Sequence, residues 1–244
     1  MNELNLFPVN EMNTQIDKLS IPAIINGSVG YYYVDLDKIF YLESNSNRTV
    51  IHKERDEQIK ETEIEATKTL LYFENELRGK PFLRIHNSFI INVQKLVKYN
   101  KRTKKVTLLD GTKIDVSRSK KDIFGDSKIE KYPIPIFEEF IYIDLKSILY
   151  LEAHFDRTEF HLLGSPPITS SKNIGFFEKS LADKPFFRIH NSYIISLTKV
   201  IKYFRGSSKV TENVGSSSGY AVLNTGKGLP VSANKKDDFL KYFR

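Results

Sequence analysis

The sequence has no cysteine among its 244 residues. A chain without cysteine has no disulfide framework, no Cys-ligated zinc and no thiol nucleophile. Its 5 histidines leave few metal ligands, and none of the HExxH, GxSxG, P-loop or GxGxxG motifs is present. We therefore expect no metal site, no cofactor and no enzymatic activity. The lack of cysteine also fits a reducing compartment.

Long apolar stretches are missing as well. No run of about 18 apolar residues occurs, and the first residues do not combine a basic segment with an apolar one, as a secretory signal would. We expect a soluble, cytoplasmic protein that does not contact a membrane.

The charge balance is positive, with a formal net charge of +7 and a pI near 9.2. Both halves of the chain carry more Lys and Arg than Asp and Glu, so no single tail explains the excess. Such a balance is typical of proteins that bind polyanions. A solvated, Lys-rich surface explains it equally well.

One twelve-residue segment occurs twice. PFLRIHNSFIIN at 81–92 returns as PFFRIHNSYIIS at 185–196, with nine of the twelve positions identical. We call the shared part, Arg84–Ser88 and Arg188–Ser192, the RIHNS motif. Alternating polar and apolar residues before its turn predict a strand, and His-Asn-Ser predicts a tight turn. Two copies of this motif indicate two copies of one domain.

The repeat extends outward from the motif. FIYIDLKSILYLE at 140–152 matches YYVDLDKIFYLE at 32–43, and LPVS at 229–232 matches IDVS at 114–117. The predicted organisation is an N-terminal arm at 1–20, a first domain at 21–125, a stiff Pro-containing linker at 126–133 and a second domain at 134–244. The second copy has a longer, Ser/Gly-rich hairpin at 206–220.

Local signals predict antiparallel strands with few helices. Asn26-Gly27 and Asp110-Gly111 stand between alternating segments and predict hairpins. A period near 3.6 over 67–77 predicts a helix, and Ser117 is placed to cap a short basic helix. We expect a mostly β protein with short helices, in which two similar domains are built from small antiparallel sheets.

The polar turns carry side chains suited to DNA. Arg and Asn make two-point hydrogen bonds to guanine and adenine edges, while Ser and Lys contact phosphates. The first copy offers three such turns, at 44–48, 86–88 and 117–121. For Arg84 and Arg188, which lie in predicted strands, we expect ion pairs with Glu43 and Glu152 inside each domain. His beside Asn and Ser suggests a nucleophile and a base, but a hydrogen-bonded turn is favoured.

The order of these elements resembles the LytTR DNA-binding domain of bacterial response regulators. The resemblance rests on Tyr-Leu-Glu before a polar turn, the segment at 81–92, and the Asp-Gly-x-x-Ile-x-Val-Ser-Arg-x-Lys-Lys ending of the first copy; it covers 21–125 and 134–244. It implies a β-β-β domain that inserts loops into successive major grooves. Family members usually carry one such domain behind a receiver domain, and we expect none here because the first 20 residues are too few.

The resemblance also implies site residues. The base-reading residues would be Asn47, Arg48, Asn87, Arg118, Arg157, Asn191 and Asn234. The phosphate contacts would come from His86, Ser88, Ser117, Lys120, Lys121, His190, Ser192, Ser232, Lys235 and Lys236. In the second copy Asp156 stands in place of Asn47 and Ala233 in place of Arg118, so we expect it to read fewer base pairs.

The sequence therefore predicts a bacterial transcription regulator that binds double-stranded DNA sequence-specifically. The expected DNA site is a direct repeat. A homodimer or a signalling protein is a further candidate partner. The alternative is a protein-interaction or dimerisation module in which the repeat no longer reads DNA.

Overall fold

The computed structural model describes residues 17–125, 131–205 and 217–243. Parts of the expected arm, linker and longer hairpin, at 1–16, 126–130 and 206–216, lie outside the described residues. The polypeptide divides into two compact units, Met1–Asn92 and Val93–Arg244. No helix within the described ranges is both long and apolar enough to cross a membrane.

The first unit is a seven-stranded antiparallel sheet with one helix. Its strands are β1 (Lys18–Ile25), β2 (Ser28–Asp35), β3 (Ile39–Asn45), β4 (Arg48–Lys53), β5 (Glu63–Ala66), β6 (Phe82–His86) and β7 (Phe89–Asn92), in the order β2-β1-β5-β4-β3-β7-β6. The hairpin predicted from Asn26-Gly27 is confirmed, and both turn residues are left-handed, with φ of 51° and 82°. Helix α1 (Leu70–Glu76) packs Leu70 and Phe73 into a core with Leu42 and Ile90 of the sheet.

The second unit begins with a five-stranded sheet that contains strands from both repeats. These strands are β8 (Leu96–Asn100), β9 (Lys105–Leu108), β10 (Lys113–Asp115), β11 (Tyr132–Ile136) and β12 (Glu139–Ile143), in the order β10-β9-β8-β12-β11. Pro133, assigned from the sequence to a linker, lies in β11. Strand β12 of the second repeat pairs with β8 of the first, which is why the unit boundary falls inside the first repeat.

The rest of the second unit has two sheets and two helices. One sheet has the order β15-β14-β13-β17-β16 and the other the order β18-β19-β20. The strands are β13 (Ile148–His154), β14 (Arg157–Leu162), β15 (Ser165–Ser170), β16 (Phe186–His190), β17 (Tyr193–Ser196), β18 (Val200–Arg205), β19 (Ser217–Leu223) and β20 (Gly228–Ser232). The helices are α2 (Ile174–Ser180) and α3 (Lys236–Lys241).

The five-stranded sheet built from β13 to β17 is covered on both faces. Leu151 and Phe160 pack with Phe177 of α2 on one side. Ile189 and Ile195 pack with the β18–β20 sheet and α3 on the other. Because residues that alternate along a strand point to opposite faces, β13, β16 and β17 contribute to both cores.

Short 3-10 helices connect several strands. They span Leu36–Lys38, Val93–Lys95, Arg118–Gly125, Leu145–Ser147, Leu197–Lys199 and Ala233–Lys235. The helix expected after Ser117 is the 3-10 helix Arg118–Gly125. The predicted fold class, mostly β with short helices and two similar repeats in tandem, is confirmed. The sharing of one sheet between the repeats was not predicted.

Candidate nucleic-acid interface

Two polar turns lie side by side at one end of the main sheet of the first unit. One joins β3 to β4 and carries Asn47 and Arg48; the other joins β6 to β7 and carries Asn87. They are neighbours because β3 and β7 are paired, and the Ser44 N–H donates to the Ser88 carbonyl at 2.8 Å. Asn47, Arg48 and Asn87 are all exposed.

The second repeat has the same arrangement. The Ala153 N–H donates to the Ser192 carbonyl at 2.8 Å, which places the β13–β14 turn beside the β16–β17 turn. Arg157 and Asn191 are exposed at these turns, as is Asp156. The pairing of neighbouring strands thus brings two of the three expected reading turns together in each repeat.

The arginine of the RIHNS motif holds the turn that follows it. Arg84 donates from Nη2 to the Asn87 carbonyl at 2.6 Å and from Nε to the His86 carbonyl at 3.3 Å, while Nη1 meets Glu74 Oε2 of α1 at 2.6 Å. Its side chain therefore closes the turn from within and fixes the backbone that presents the Asn87 side chain.

Arg188 makes the same three contacts in the second repeat. The distances are 2.8 Å to the Asn191 carbonyl, 3.3 Å to the His190 carbonyl and 2.6 Å to Glu178 Oε2 of α2. The expected internal ion pairs exist, but the expected partners, Glu43 and Glu152, are wrong.

Arg84 pairs with the helix carboxylate and not with Glu43 because the two side chains lie on opposite faces of the sheet. Arg84 is opposite Ile90, and Ile90 is opposite Leu42, so these three side chains share the face that packs on α1. Glu43 is one residue further along and points to the other face. There it lies 3.3 Å from His52, while Arg84 meets the carboxylate that the helix supplies.

The histidine of the motif accepts a hydrogen bond inside its own turn. His86 Nδ1 accepts from the Ser88 N–H at 3.1 Å, and His190 Nδ1 accepts from the Ser192 N–H at 3.1 Å. Burial, and then the charge of Arg188, lowers the pKa of His190. A neutral imidazole that accepts at Nδ1 carries its proton on Nε2, where it can donate to a phosphate oxygen.

A third segment reaches the turn in the second repeat. Ser232 Oγ lies 3.1 Å from the Ile189 carbonyl and 2.9 Å from Asn234 Oδ1. Lys235 Nζ lies 4.0 Å from Glu178 Oε1. The end of β20 is therefore held against the RIHNS motif, with Asn234 exposed and both Lys235 and Lys236 half-buried.

The corresponding segment of the first repeat follows β10 and belongs to the second unit. Arg118 is exposed there and has no side-chain partner among the described residues. Ser117 Oγ lies 3.3 Å from Ser119 Oγ. Lys120 and Lys121 continue the same 3-10 helix.

The two copies of the first turn differ in how the arginine is held. Arg48 Nη1 is 2.8 Å from Glu65 Oε2, and the Asn45 amide donates to Glu65 Oε1 at 3.2 Å. The position equivalent to Glu65 in the second repeat is Thr169. Arg157 instead lies 5.6 Å from the centre of the Phe137 ring, and no carboxylate of the described residues forms an ion pair with it.

Sequence reasoning missed Phe155 at the tip of the β13–β14 turn. This phenylalanine is fully exposed and left-handed, with φ of 53°, whereas its equivalent in the first repeat is Ser46, with φ of 54°. The sequence could have indicated Phe155, since the alignment of the two repeats places this aromatic residue opposite a serine between polar neighbours. An exposed phenylalanine ring can contact a thymine methyl group.

One group of side chains has the composition of a metal site. Ligand atoms of Glu152, His154 and Glu159 lie within 4.8 Å of one another. His154 is already 3.1 Å from Glu159, and Glu152 accepts from the Tyr193 hydroxyl at 3.0 Å. These mutual contacts account for the cluster without an ion.

Comparisons with known proteins identify the family of the chain. The model of the family described as the LytTr DNA-binding domain matches residues 30–126 and 138–244. No curated protein sequence matches the chain. One similar solved structure is the LytTr DNA-binding domain of a Bacillus cereus protein described as a methyl-accepting/DNA response regulator; it is 20% identical, the match covers 46% of this chain and 95% of that one, and the TM-score is 0.36. The assignment rests on the two family matches, which cover most of the chain: the protein belongs to the LytTR DNA-binding domain family and carries two such domains in tandem.

Proposed function

We propose that the chain is a sequence-specific double-stranded DNA-binding protein that regulates transcription and reads a direct repeat with its turns in successive major grooves. The observation that carries this proposal is the contact of Ser232 with the Ile189 carbonyl. It holds Asn234 and Lys235 beside the turn of Asn191, and the turn of Arg157 lies at the same end of the sheet.

Base reading is assigned to the exposed side chains of these turns. Asn87 and Asn191 project from turns whose backbone is held by Arg84 and Arg188, so their amides are presented in a fixed frame. A preorganised amide loses little entropy when it binds an adenine edge. Arg118, Arg157, Asn47, Arg48 and Asn234 complete the proposed base-reading set.

Phosphate binding is assigned to side chains that flank these turns. The proposed set is His86, Ser88, Ser117, Lys120, Lys121, His190, Ser192, Ser232, Lys235 and Lys236. Each neutralised phosphate releases counterions, so affinity should fall steeply as salt rises. The positive net charge of +7 favours such contacts.

We infer the direct repeat from the order of the domains. Two like domains follow one another head to tail in the chain, and this order favours a direct repeat over a palindrome. We expect half-sites roughly 10–11 base pairs apart. A palindromic selected site would argue for two chains that each use one domain, and so for a homodimer.

A gel shift of the chain on random-sequence duplex DNA across a salt series tests the proposal. Three or more phosphate contacts give a log–log slope of about −3 or steeper. A matched variant with Asn87→Ala and Asn191→Ala should keep this slope and lose preference at the base pairs that these two residues read. No binding at low salt would contradict the proposal and favour the alternative, a protein-interaction module. If the chain binds DNA, selection of bound genomic fragments identifies its site.

A further inference from the structure

The junction between the two repeats is a β-edge contact. Strand β12 pairs antiparallel with β8, with Glu139 opposite Asn100 and Ile141 opposite Lys98. The Lys101 N–H extends this ladder and donates to the Glu138 carbonyl at 2.8 Å. The edge of β12 in the second repeat is thus covered by β8 of the first repeat.

Side chains reinforce this junction. Lys101 Nζ lies 3.9 Å from the centre of the Phe140 ring. Glu139 accepts from the Asn100 amide at 2.9 Å, and Tyr142 is buried, with 4% of its surface exposed. The contact therefore combines backbone pairing, a cation–π contact and burial of an aromatic residue.

The strand that corresponds to β12 in the first repeat is β2, and no strand of the described residues pairs with its outer edge. β2 is the terminal strand of its sheet among the described residues. Tyr31 and Tyr33, which correspond to Phe140 and Tyr142, are 56% and 60% exposed, and Val29 is 67% exposed. Three large apolar side chains on one strand exceed the isolated exposed residues that are usual on a protein surface.

The strand that corresponds to β8 in the second repeat is β18, and it is also the terminal strand of its sheet in the part of the chain that the structure describes. Ile201 and Phe204 are 57% and 53% exposed on it. An edge strand presents backbone N–H and C=O groups that can pair with another strand.

The two uncovered edges are complementary in the same way as the covered pair. Arg205 occupies the position of Lys101, and Tyr31 occupies the position of Phe140. The register of the β8–β12 pair would therefore place the Arg205 guanidinium over the Tyr31 ring and the Arg205 N–H near the Val29 carbonyl. It would also place Phe204 opposite Gly30.

We propose that β2 of one copy of the chain adds to β18 of a second copy, head to tail, in the register that β12 uses on β8. The contact joins two different surfaces, so each added copy leaves a new β2 edge and a new β18 edge free. Association is therefore open-ended and concentration-dependent, and it does not require DNA.

Two proline variants of the full chain block one edge each. Tyr31 is opposite Pro22, which has no N–H and whose carbonyl accepts from Thr67, so the Tyr31 N–H points away from β1. Tyr31→Pro and Arg205→Pro each remove an outward N–H at an edge, where proline is tolerated. Tyr31→Phe and Arg205→Lys are the matched controls, because Phe140 and Lys101 serve at the covered junction.

Sedimentation velocity over a hundredfold concentration range measures the association. The wild-type chain and both control variants should pass from monomer to dimer and larger species. Each proline variant alone should remain monomeric. An equimolar mixture of the two should form dimers and nothing larger, because only one productive edge pair remains.

Several outcomes would overturn the proposal. A wild-type chain that stays monomeric throughout the range shows that the edges are covered or inert, and a proline variant that self-associates alone shows a different interface. Thermal melting checks that each variant is folded. Should a proline variant melt early, Tyr31→Lys and Phe204→Lys replace the pair, since edge lysines oppose strand pairing.

Discussion

At the scale of single residues, the RIHNS motif divides two tasks between neighbours. Arg84 donates hydrogen bonds to the carbonyls of the turn and to Glu74. The Asn87 side chain is exposed and has no partner among the described residues. The motif therefore contains one residue that builds the turn and one that the turn presents.

Substitutions at these two positions should separate folding from recognition. Asn87→Ala should lower base discrimination at one position by about 1–3 kcal/mol and leave the melting temperature unchanged. Arg84→Ala should lower the free energy of unfolding by about 2 kcal/mol, since it leaves the turn carbonyls and Glu74 without their donor. Thermal melts beside binding curves measure both effects. An Asn87→Ala variant that melts early but keeps its sequence preference would make Asn87 a structural residue.

Because Arg118 in the first repeat corresponds to Ala233 in the second, the two repeats should differ in base discrimination. Arg118→Ala should remove about 1–3 kcal/mol of discrimination, the value of one two-point arginine–guanine contact. Ala233→Arg, the matched change in the second repeat, should leave selectivity unchanged or sharpen it. Selection of bound sequences with each variant measures this. Undiminished selectivity in Arg118→Ala would remove Arg118 from the base-reading set.

At the scale of elements, local signals in the sequence predicted the two hairpins, the helix over 67–77 and the turns, because each depends on residues close in the chain. The partner of Arg84 could not be predicted in the same way. It depends on which face of β6 packs on α1, and a shift of one residue along β3 reverses that face. Phe155 was visible in the alignment but had no predicted role.

The connection between β4 and β5 is held by charges. Lys53 is buried and its Nζ donates to the carbonyls of Glu54, Ile59 and Glu61 at 2.6, 2.8 and 3.1 Å. Asp56 accepts from the Ile59 N–H at 2.6 Å and lies 3.2 Å from Lys53 Nζ. The hydrogen bond from Ile59, together with Lys53, lowers the pKa of Asp56 to about 2.

This shift predicts a contribution to acid stability. A carboxyl group whose pKa is lower in the folded state stabilises that state above its unfolded pKa, and the contribution is lost as the pH falls through the folded value. For Asp56 the window runs from about 4 in the unfolded chain down to about 2. Asp56→Asn should lower stability at neutral pH and flatten the stability curve across this window. Denaturant unfolding at several pH values measures it, and a parallel, unflattened curve would contradict it.

At the scale of the whole molecule, the second unit joins the two repeats by pairing β8 with β12. The sequence predicted a stiff linker from its prolines. The structure places Pro133 and Pro135 in β11, opposite Tyr142 and Phe140, so part of the expected linker is a strand. A long-range pairing of this kind leaves no periodic signal in the sequence, since it depends on where two distant strands end.

The shared sheet should make DNA binding sensitive to half-site spacing. It holds the 3-10 helix of Arg118 and the turns of the second repeat within one compact unit. An insertion of about 5 base pairs rotates one half-site by half a helical turn, and affinity should fall to that of a single half-site. Glu139→Lys, which removes the acceptor of Lys98 and Asn100 and places two lysines close together, should loosen the junction and reduce this loss. Competition binding on DNA sites with different spacers measures the affinities of the wild-type chain and of the Glu139→Lys variant. Equal wild-type affinity at every spacing would show that the repeats bind DNA independently.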